Sequence, residues 1–297
     1  MKKEFLISVL ISLSFLTLGF TLIEYDMIGF GVSFFVFLPF LLGYILGTST
    51  IKKVSCYGLV FSLIVFFILL FVGGLEGMGC ILMAMPLVIG AVVFGVLVKY
   101  ILNKYGKKRN EENKIKISIL PLFLFVLLGY VESNFIKGGP AVDEVVSEII
   151  LPYSAMEVYN AIKSVDTLDA EKPFLMNLDL PIPQKCILSE EKVGGIRTCY
   201  FEGGLIVEKI TELEKGVVLR MDVIDYQLTG RKWLGFKEAI YTFETVDDGC
   251  KMTRITTYSS ELYPRAYWRP MEQIGIEQEH QYVFNNLVKD LKNATDD

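Results

Sequence analysis

The sequence is poor in the residues that build metal sites, redox centres and charged surfaces. Among 297 residues there is one His, there are five Cys, and only 21% are charged. A single His and scattered Cys provide none of the paired spacings that bind zinc, and so few Cys exclude a disulfide-dense secreted miniprotein. The sequence also lacks a nucleophile elbow, a phosphate-binding glycine loop and a dinucleotide fingerprint. We therefore expect no metal and no cofactor.

Charge is unevenly divided between the two halves of the chain. Up to Val131 there are 11 Lys and Arg against 6 Asp and Glu, whereas from Glu132 onward there are 18 against 28. Apolar residues reach 52% overall and the mean hydropathy is +0.45, which indicates that part of the chain lies in lipid. This pattern excludes a soluble one-domain enzyme, an intrinsically disordered chain and a nucleic-acid binder with a basic domain.

The first half contains five long runs without charge. A helix needs roughly 20 apolar residues to cross a bilayer, and four of the runs have at least 19 residues. The last run has 15 residues and contains Pro121, but it is rich in Leu and Phe. The sequence therefore predicts about five membrane-spanning helices within residues 1–131, in the runs Phe5–Ile23, Met27–Ile51, Val54–Leu75, Gly77–Val98 and Ile117–Val131.

The basic residues predict how this anchor lies in the cell membrane. All 11 Lys and Arg fall in alternate connections, on the side that cytoplasmic loops occupy. The N-terminus is then inside, and after five spans the second half lies outside the cytoplasm. If the fifth run only lies along the interface, the second half is cytoplasmic instead. No run contains a charged residue or His, which argues against an ion-coupled carrier and favours an anchor.

The second half predicts one α+β domain over residues 142–293, joined to the anchor by a linker at 132–141. Val142–Leu151 alternates as a strand, and Ser154 is an N-cap candidate for a short helix. Six further strand patterns follow, and Pro264–Lys292 has the spacing of a long amphipathic helix. An antiparallel sheet of this length, strongly curved around one long helix, makes a container for a ligand.

This order of elements resembles the SRPBCC superfamily of START-like, polyketide-cyclase-like and pollen-allergen-like helix-grip domains. The resemblance rests on the opening strand followed by Pro152–Tyr159, the runs Gly194–Phe201 and Val207–Glu212, and the closing Tyr263–Trp268. It covers about half of the chain and nothing in the membrane half. It implies a curved antiparallel sheet that grips a long C-terminal helix, with a cavity for an apolar or amphipathic small molecule. The superfamily shares no universal catalytic motif, so no catalytic residue is carried over.

Alternation along the strands and the spacing of apolar residues along the last helix predict which residues line a candidate pocket. Glu208 shares parity with Ile206 and Ile210, and Arg197 with Cys199 and Phe201, so the two charges either bind a polar head group or form a structural ion pair. His280, on the apolar face of the last helix, is an acid–base group, a residue that orients a ligand carbonyl, or a core His satisfied by a backbone carbonyl. The full candidate set is Arg197, Phe201, Glu208, Leu219, Met221, Tyr258, His280 and Phe284.

Two cysteines are placed for pairing. Cys186 and Cys199 lie on consecutive predicted strands, about equally far from the turn at Val193 and Gly194. In an extracytoplasmic domain they either form a disulfide or lie near each other as thiols, and the sequence leaves both open.

The leading hypothesis is a multi-pass membrane protein whose START-like domain binds an apolar or amphipathic small molecule, such as a lipid from the bilayer, without covalent chemistry. One alternative is a cyclase- or hydrolase-like enzyme that acts on a hydrophobic substrate through His280, Glu208 and a tyrosine. Another is an interaction module whose interior is filled by its own side chains. No basic patch points to nucleic acid.

Overall fold

The computed structural model describes residues 2–46, 53–105, 116–136, 139–178, 180–228 and 233–296. The chain divides into two compact units. One contains Met1–Glu76, Cys80–Pro140 and Glu261–Trp268. The other contains Gly77–Gly79, Ala141–Ser260 and Arg269–Asp297.

The first unit is helical. Its helices are α1 (Lys2–Glu24), a π-helical turn (Ser33–Phe37) that continues into α2 (Leu38–Leu46), α3 (Lys53–Val72), α4 (Met78–Tyr105) and α5 (Lys116–Val131), which continues as a second π turn (Glu132–Ile136). Within the described ranges, three helical segments are long and apolar enough to cross a bilayer: Phe5–Glu24, Ser55–Val72 and Met78–Tyr105.

The other two predicted spans coincide with shorter apolar helices, Ser33–Leu46 and Leu120–Phe135. The end of the second run, residues 47–51, and Gly138 of the predicted linker lie outside the described residues, as do five of the basic loop residues. Three helices of the described residues therefore have the length and composition of a membrane span, and five spans stay a prediction.

Glu132 joins two distant parts of the helical unit. Its carboxylate accepts hydrogen bonds from the backbone N–H of Val32 at 2.7 Å and of Ser33 at 2.9 Å, and from the Ser33 hydroxyl at 2.5 Å. These N–H groups belong to the start of a helix and have no partner within it, so a carboxylate there is stabilising. The C-terminal end of α5 is thus held at the start of the Ser33–Leu46 helix.

The second unit is built on one antiparallel sheet. Its elements are β1 (Ala141–Leu151), α6 (Ala155–Lys163), a 3₁₀ turn (Phe174–Leu178), β2 (Pro183–Leu188), β3 (Ile196–Phe201), β4 (Gly204–Glu214), β5 (Val218–Leu228), β6 (Leu234–Val246), β7 (Gly249–Ser260) and α7 (Arg265–Asp296). The sheet has seven strands in the order β1-β7-β6-β5-β4-β3-β2. β2 to β7 form a meander, whereas β1 pairs with β7 over its whole length.

Local sequence explains how α6 begins. Ser154 and Glu157 form a reciprocal capping box, with the Ser154 hydroxyl accepting from the Glu157 N–H and the Glu157 carboxylate accepting from the Ser154 N–H. This arrangement satisfies N–H groups that a helix start leaves without partners, and it confirms the predicted N-cap.

The sheet buries one face against α6 and α7. Alternate residues of β5, β6 and β7 contribute to an apolar cluster that also includes Val158, Tyr159 and Ile162 of α6 and Phe284 and Leu287 of α7. A curved antiparallel sheet closed by a long C-terminal helix is a helix-grip arrangement, as the pattern of the sequence predicts.

Candidate functional site

A layer of polar side chains adjoins the apolar cluster on the inner face of the sheet. Along β7, alternate residues Cys250, Met252, Arg254, Thr256 and Tyr258 are all buried. Cys250 and Met252 belong to the apolar cluster, whereas Arg254, Thr256 and Tyr258 contact polar side chains of α7. The surface between sheet and helix therefore changes from apolar to polar along a single strand.

Arg197 and Glu208 form a buried ion pair between β3 and β4. They are direct partners in the strand register, and Nη1 of Arg197 donates to Oε2 of Glu208 at 3.0 Å. Nη2 of Arg197 donates to the backbone carbonyl of Ile162 in α6 at 3.2 Å. Burial acts against the charge of Arg197, but the Glu208 carboxylate and the Tyr241 side chain together raise the pKa of the guanidinium. Parity thus placed both charges correctly inside the domain.

A second guanidinium, that of Arg254, lies near the first. Its Nη2 binds both carboxylate oxygens of Glu279 in α7, at 2.8 and 3.1 Å. The guanidinium carbons of Arg254 and Arg197 lie 5.5 and 5.7 Å from the centroid of the same ring, that of Tyr241. Tyr241 also belongs to the apolar cluster, so this ring links the two kinds of surface.

His280 is fully buried between two strands and is held by two hydroxyls. Its Nε2 lies 2.8 Å from Oγ1 of Thr256, and its Nδ1 lies 2.8 Å from Oγ of Ser147. Burial, and then the positive charge of Arg254, lower the pKa of His280 to about 2. The expected backbone carbonyl partner is therefore wrong, since the contacts are to hydroxyls, which can both donate and accept. An imidazole with this pKa is a very weak proton acceptor near neutral pH.

Tyr258 and Ser260 lie beside a buried carboxylate. The hydroxyl of Tyr258 donates to Oε2 of Glu272 at 3.2 Å, and that of Ser260 donates to Oε1 of Glu272 at 2.6 Å. The polar layer thus extends along β7 from Arg254 to Ser260.

The remaining candidate residues do not all belong to this layer. Leu219, Met221 and Phe284 are buried in the apolar cluster, next to the polar layer. Phe201 is half-buried at the end of β3. The polar candidates Arg197, Glu208 and His280 are buried, and the hydroxyl-bearing Tyr258 is buried with them.

Cys186 and Cys199 are joined in a disulfide. They are direct partners in the register of β2 and β3. Sγ of Cys199 lies 3.9 Å from Oε2 of Glu208, so the bridge borders the Arg197–Glu208 pair. Of the two alternatives that the sequence leaves open, the structure contains the bridged one.

Sequence reasoning missed Arg254, Tyr241 and Glu279. Arg254 has the same strand parity as Cys250 and Met252, so alternation along β7 gave a signal for its burial. The burial of Tyr241 was equally predictable, because it lies on the same strand face as Ala239 and Phe243. Glu279 gave no such signal, since on the helix it lies beside the apolar positions among other charged residues.

The chemistry available to this layer is hydrogen bonding and charge pairing. Within the described ranges no group of three or more His, Cys, Asp or Glu side chains is placed to hold a metal ion. The neutral His280 and the paired carboxylates instead form an array of hydrogen-bond donors and acceptors along the inner face of the sheet.

No protein-family model and no curated protein sequence matches this chain. Solved structures that resemble it include a protein of unknown function, SA2116 from Staphylococcus aureus, at 12% identity and a TM-score of 0.39, covering 54% of this chain and 100% of that one. Ara h 8.0201 matches at 13% identity and a TM-score of 0.35, covering 52% and 99%. A norcoclaurine synthase of Thalictrum matches at 16% identity and a TM-score of 0.35, covering 54% and 99%. Similarities at this level identify no family, and the description as a helix-grip domain rests on the strand order and the closing helix.

Proposed function

We propose that this chain is a membrane-anchored helix-grip domain that binds an amphipathic small molecule or lipid without covalent chemistry. The observation that carries the proposal is the inner face of the sheet, where an apolar cluster meets a layer of buried polar groups at Tyr241. An amphipathic ligand has the same division, with a chain for the apolar side and a head for the polar side.

The low basicity of His280 favours binding over catalysis. The enzyme alternative needs a group that takes up and releases a proton near the working pH. His280 has a pKa of about 2 and is held by Thr256 and Ser147. Its contacts with the hydroxyls of Thr256 and Ser147 are those of a residue that holds the polar side chains in place.

The contacts of Glu132 support the predicted side of the membrane. Residues 25–32 follow the C-terminal end of α1, and Glu132 follows the C-terminal end of α5. Because Glu132 binds the N–H groups of Val32 and Ser33, these two helix ends lie at the same end of the helical unit. If α5 crosses the membrane in the same direction as α1, the second unit follows on the side opposite the basic loops, outside the cytoplasm.

Mass spectrometry of the full-length chain tests the binding proposal. We expect the protein, released from detergent micelles, to retain an amphiphile, and we expect a His280→Gln variant to retain it as well. Leu219→Trp fills the interior beside the ligand and should remove it, whereas Ile224→Trp on the exposed face of the same strand should not. Equal lipid content in both Trp variants and no specific amphiphile in the parent would favour the interaction module instead.

A further inference from the structure

Both buried arginines have donors that nothing in the described part of the chain accepts. Nε and Nη1 of Arg254 and Nε of Arg197 are buried without a hydrogen-bond partner there. Nε has one N–H and Nη1 has two, and leaving such groups unpaired in the interior is costly. Arg254 is 9% exposed and Arg197 is 3% exposed, so solvent offers little compensation.

Each carboxylate near these arginines already binds one guanidinium. Both oxygens of Glu279 contact the single atom Nη2 of Arg254. Oε2 of Glu208 binds Nη1 of Arg197. The unpaired guanidinium nitrogens carry only N–H donors. A ligand that fits them must therefore supply hydrogen-bond acceptors.

We infer that Arg254, assisted by Arg197, receives an oxyanion head group, the carboxylate or phosphate monoester of a single-chain amphiphile. This inference rests on the proposed function. A guanidinium presents its N–H groups in a planar fork that matches two oxygens of an oxyanion. The chain of such a ligand lies along the apolar cluster, which starts at Met252 on the same strand face and includes Tyr241.

Other head groups fit these donors less well. An ammonium adds only donors to a site whose unpaired groups are already donors, beside two guanidinium groups that are each paired with one carboxylate. An alcohol supplies an acceptor, but it forms neither a bidentate contact nor a charge-assisted hydrogen bond. The site should therefore discriminate by head-group charge at constant chain length.

The test uses photo-crosslinking of the full-length protein in nanodiscs of neutral lipid. The probe is hexadecanoate with a diazirine in its chain, and the readout is the label in peptides from β5 to α7, separated from label in the membrane helices. Unlabelled hexadecanoate, hexadecyl phosphate, hexadecanol and hexadecylamine are the competitors. Competition by hexadecanoate and by hexadecyl phosphate tests for an oxyanion site. The ratio of their competing concentrations distinguishes a fatty-acid source from a phosphate source.

Three variants test the role of Arg254. Arg254→Lys keeps the charge opposite Glu279 but loses the planar fork. Arg254→Gln combined with Glu279→Gln removes the pair without leaving a buried charge alone. Arg220→Gln is the matched control, because Arg220 pairs with Glu212 and Glu238 and its side chain is 43% exposed.

We expect both oxyanions to compete at concentrations about tenfold or more below that of hexadecanol. Both Arg254 variants should lower the affinity for hexadecanoate by about tenfold or more. Arg220→Gln should bind as the parent does. Equal competition by hexadecanol, or full affinity in both Arg254 variants, overturns this inference and leaves the proposed function standing. Absence of label from the β5–α7 peptides of the parent overturns both.

Discussion

Nε2 of His280 lies 2.8 Å from Oγ1 of Thr256, inside a layer where burial and Arg254 lower the pKa of the imidazole to about 2. The unfolded chain takes up this proton near pH 6.5, whereas the folded protein keeps the ring neutral. Below pH 6.5 the unfolded state therefore binds more protons, and the free energy of unfolding falls as the pH falls.

His280→Gln should remove this part of the acid sensitivity, because an amide can also donate and accept with Thr256 and Ser147 yet does not titrate. We expect the parent to lose about 1.4 kcal/mol per pH unit more than the variant between pH 6 and pH 4. Urea unfolding of both proteins in the same detergent over this range measures the difference. Parallel pH profiles would show that His280 is not held neutral.

Glu208→Ala should destabilise the domain strongly, because it leaves the charge of Arg197 buried with no carboxylate partner. Breaking a buried pair from one side costs about 3 to 5 kcal/mol. Glu212→Ala, which removes a half-exposed partner of Arg220 on the same strand, should cost much less. The double change Arg197→Met and Glu208→Leu should recover most of the stability in urea unfolding. A small effect of Glu208→Ala would mean that water reaches Arg197.

Reduction should loosen the sheet at the end that contains β2. Cys186 and Cys199 close a loop across a sequence separation of 13 residues, for which chain entropy gives about 3 kcal/mol of stabilisation. Alkylation before reduction should leave both residues unmodified, and peptide mapping should recover the linked pair. Recovery of both as alkylated thiols would remove the bridge and weaken the assignment to an oxidising compartment.

Accessibility from outside the cell tests the topology. In a protein whose Cys56, Cys80 and Cys250 are replaced by Ser, Asn134→Cys should react with a thiol reagent that cannot cross membranes, because Asn134 is exposed just after α5. A single Cys at position 107 should be protected in the same intact cells. The reverse pattern would place the second unit in the cytoplasm.

Strand parity explains why so much of the domain was predictable. Alternation fixes the inner face of each strand, so the burial of Arg197 and Glu208 and the opposition of Cys186 and Cys199 follow from local pattern and turn position. What parity does not give is which inner residues of distant strands meet. Arg254 is the direct register partner of Tyr241 on the neighbouring strand. The contact of Arg197 with the same ring depends instead on the curvature of the sheet, which brings β3 near β6 although β4 and β5 lie between them.

The helical first half of the chain was less predictable for a different reason. Uncharged runs identify apolar segments but not where a helix begins. The run from Met27 to Ile51 forms a helix only from Ser33 among its described residues, after a loop that includes the Glu132 contact. That contact joins positions about a hundred residues apart, and no periodicity in either segment indicates it.

The pairing of β1 with β7 has a consequence for how the protein is made. Every residue of β1 is synthesised roughly a hundred positions before its partner, from Leu151 opposite Cys250 to Ala141 opposite Ser260. In the meander from β2 to β7 each strand pairs with its neighbour in sequence. β1, in contrast, cannot pair until β7 has been synthesised and almost the whole domain has emerged from the ribosome. A message that stops before codon 250 would therefore yield a chain whose first strand has no partner, a natural substrate for quality-control proteases.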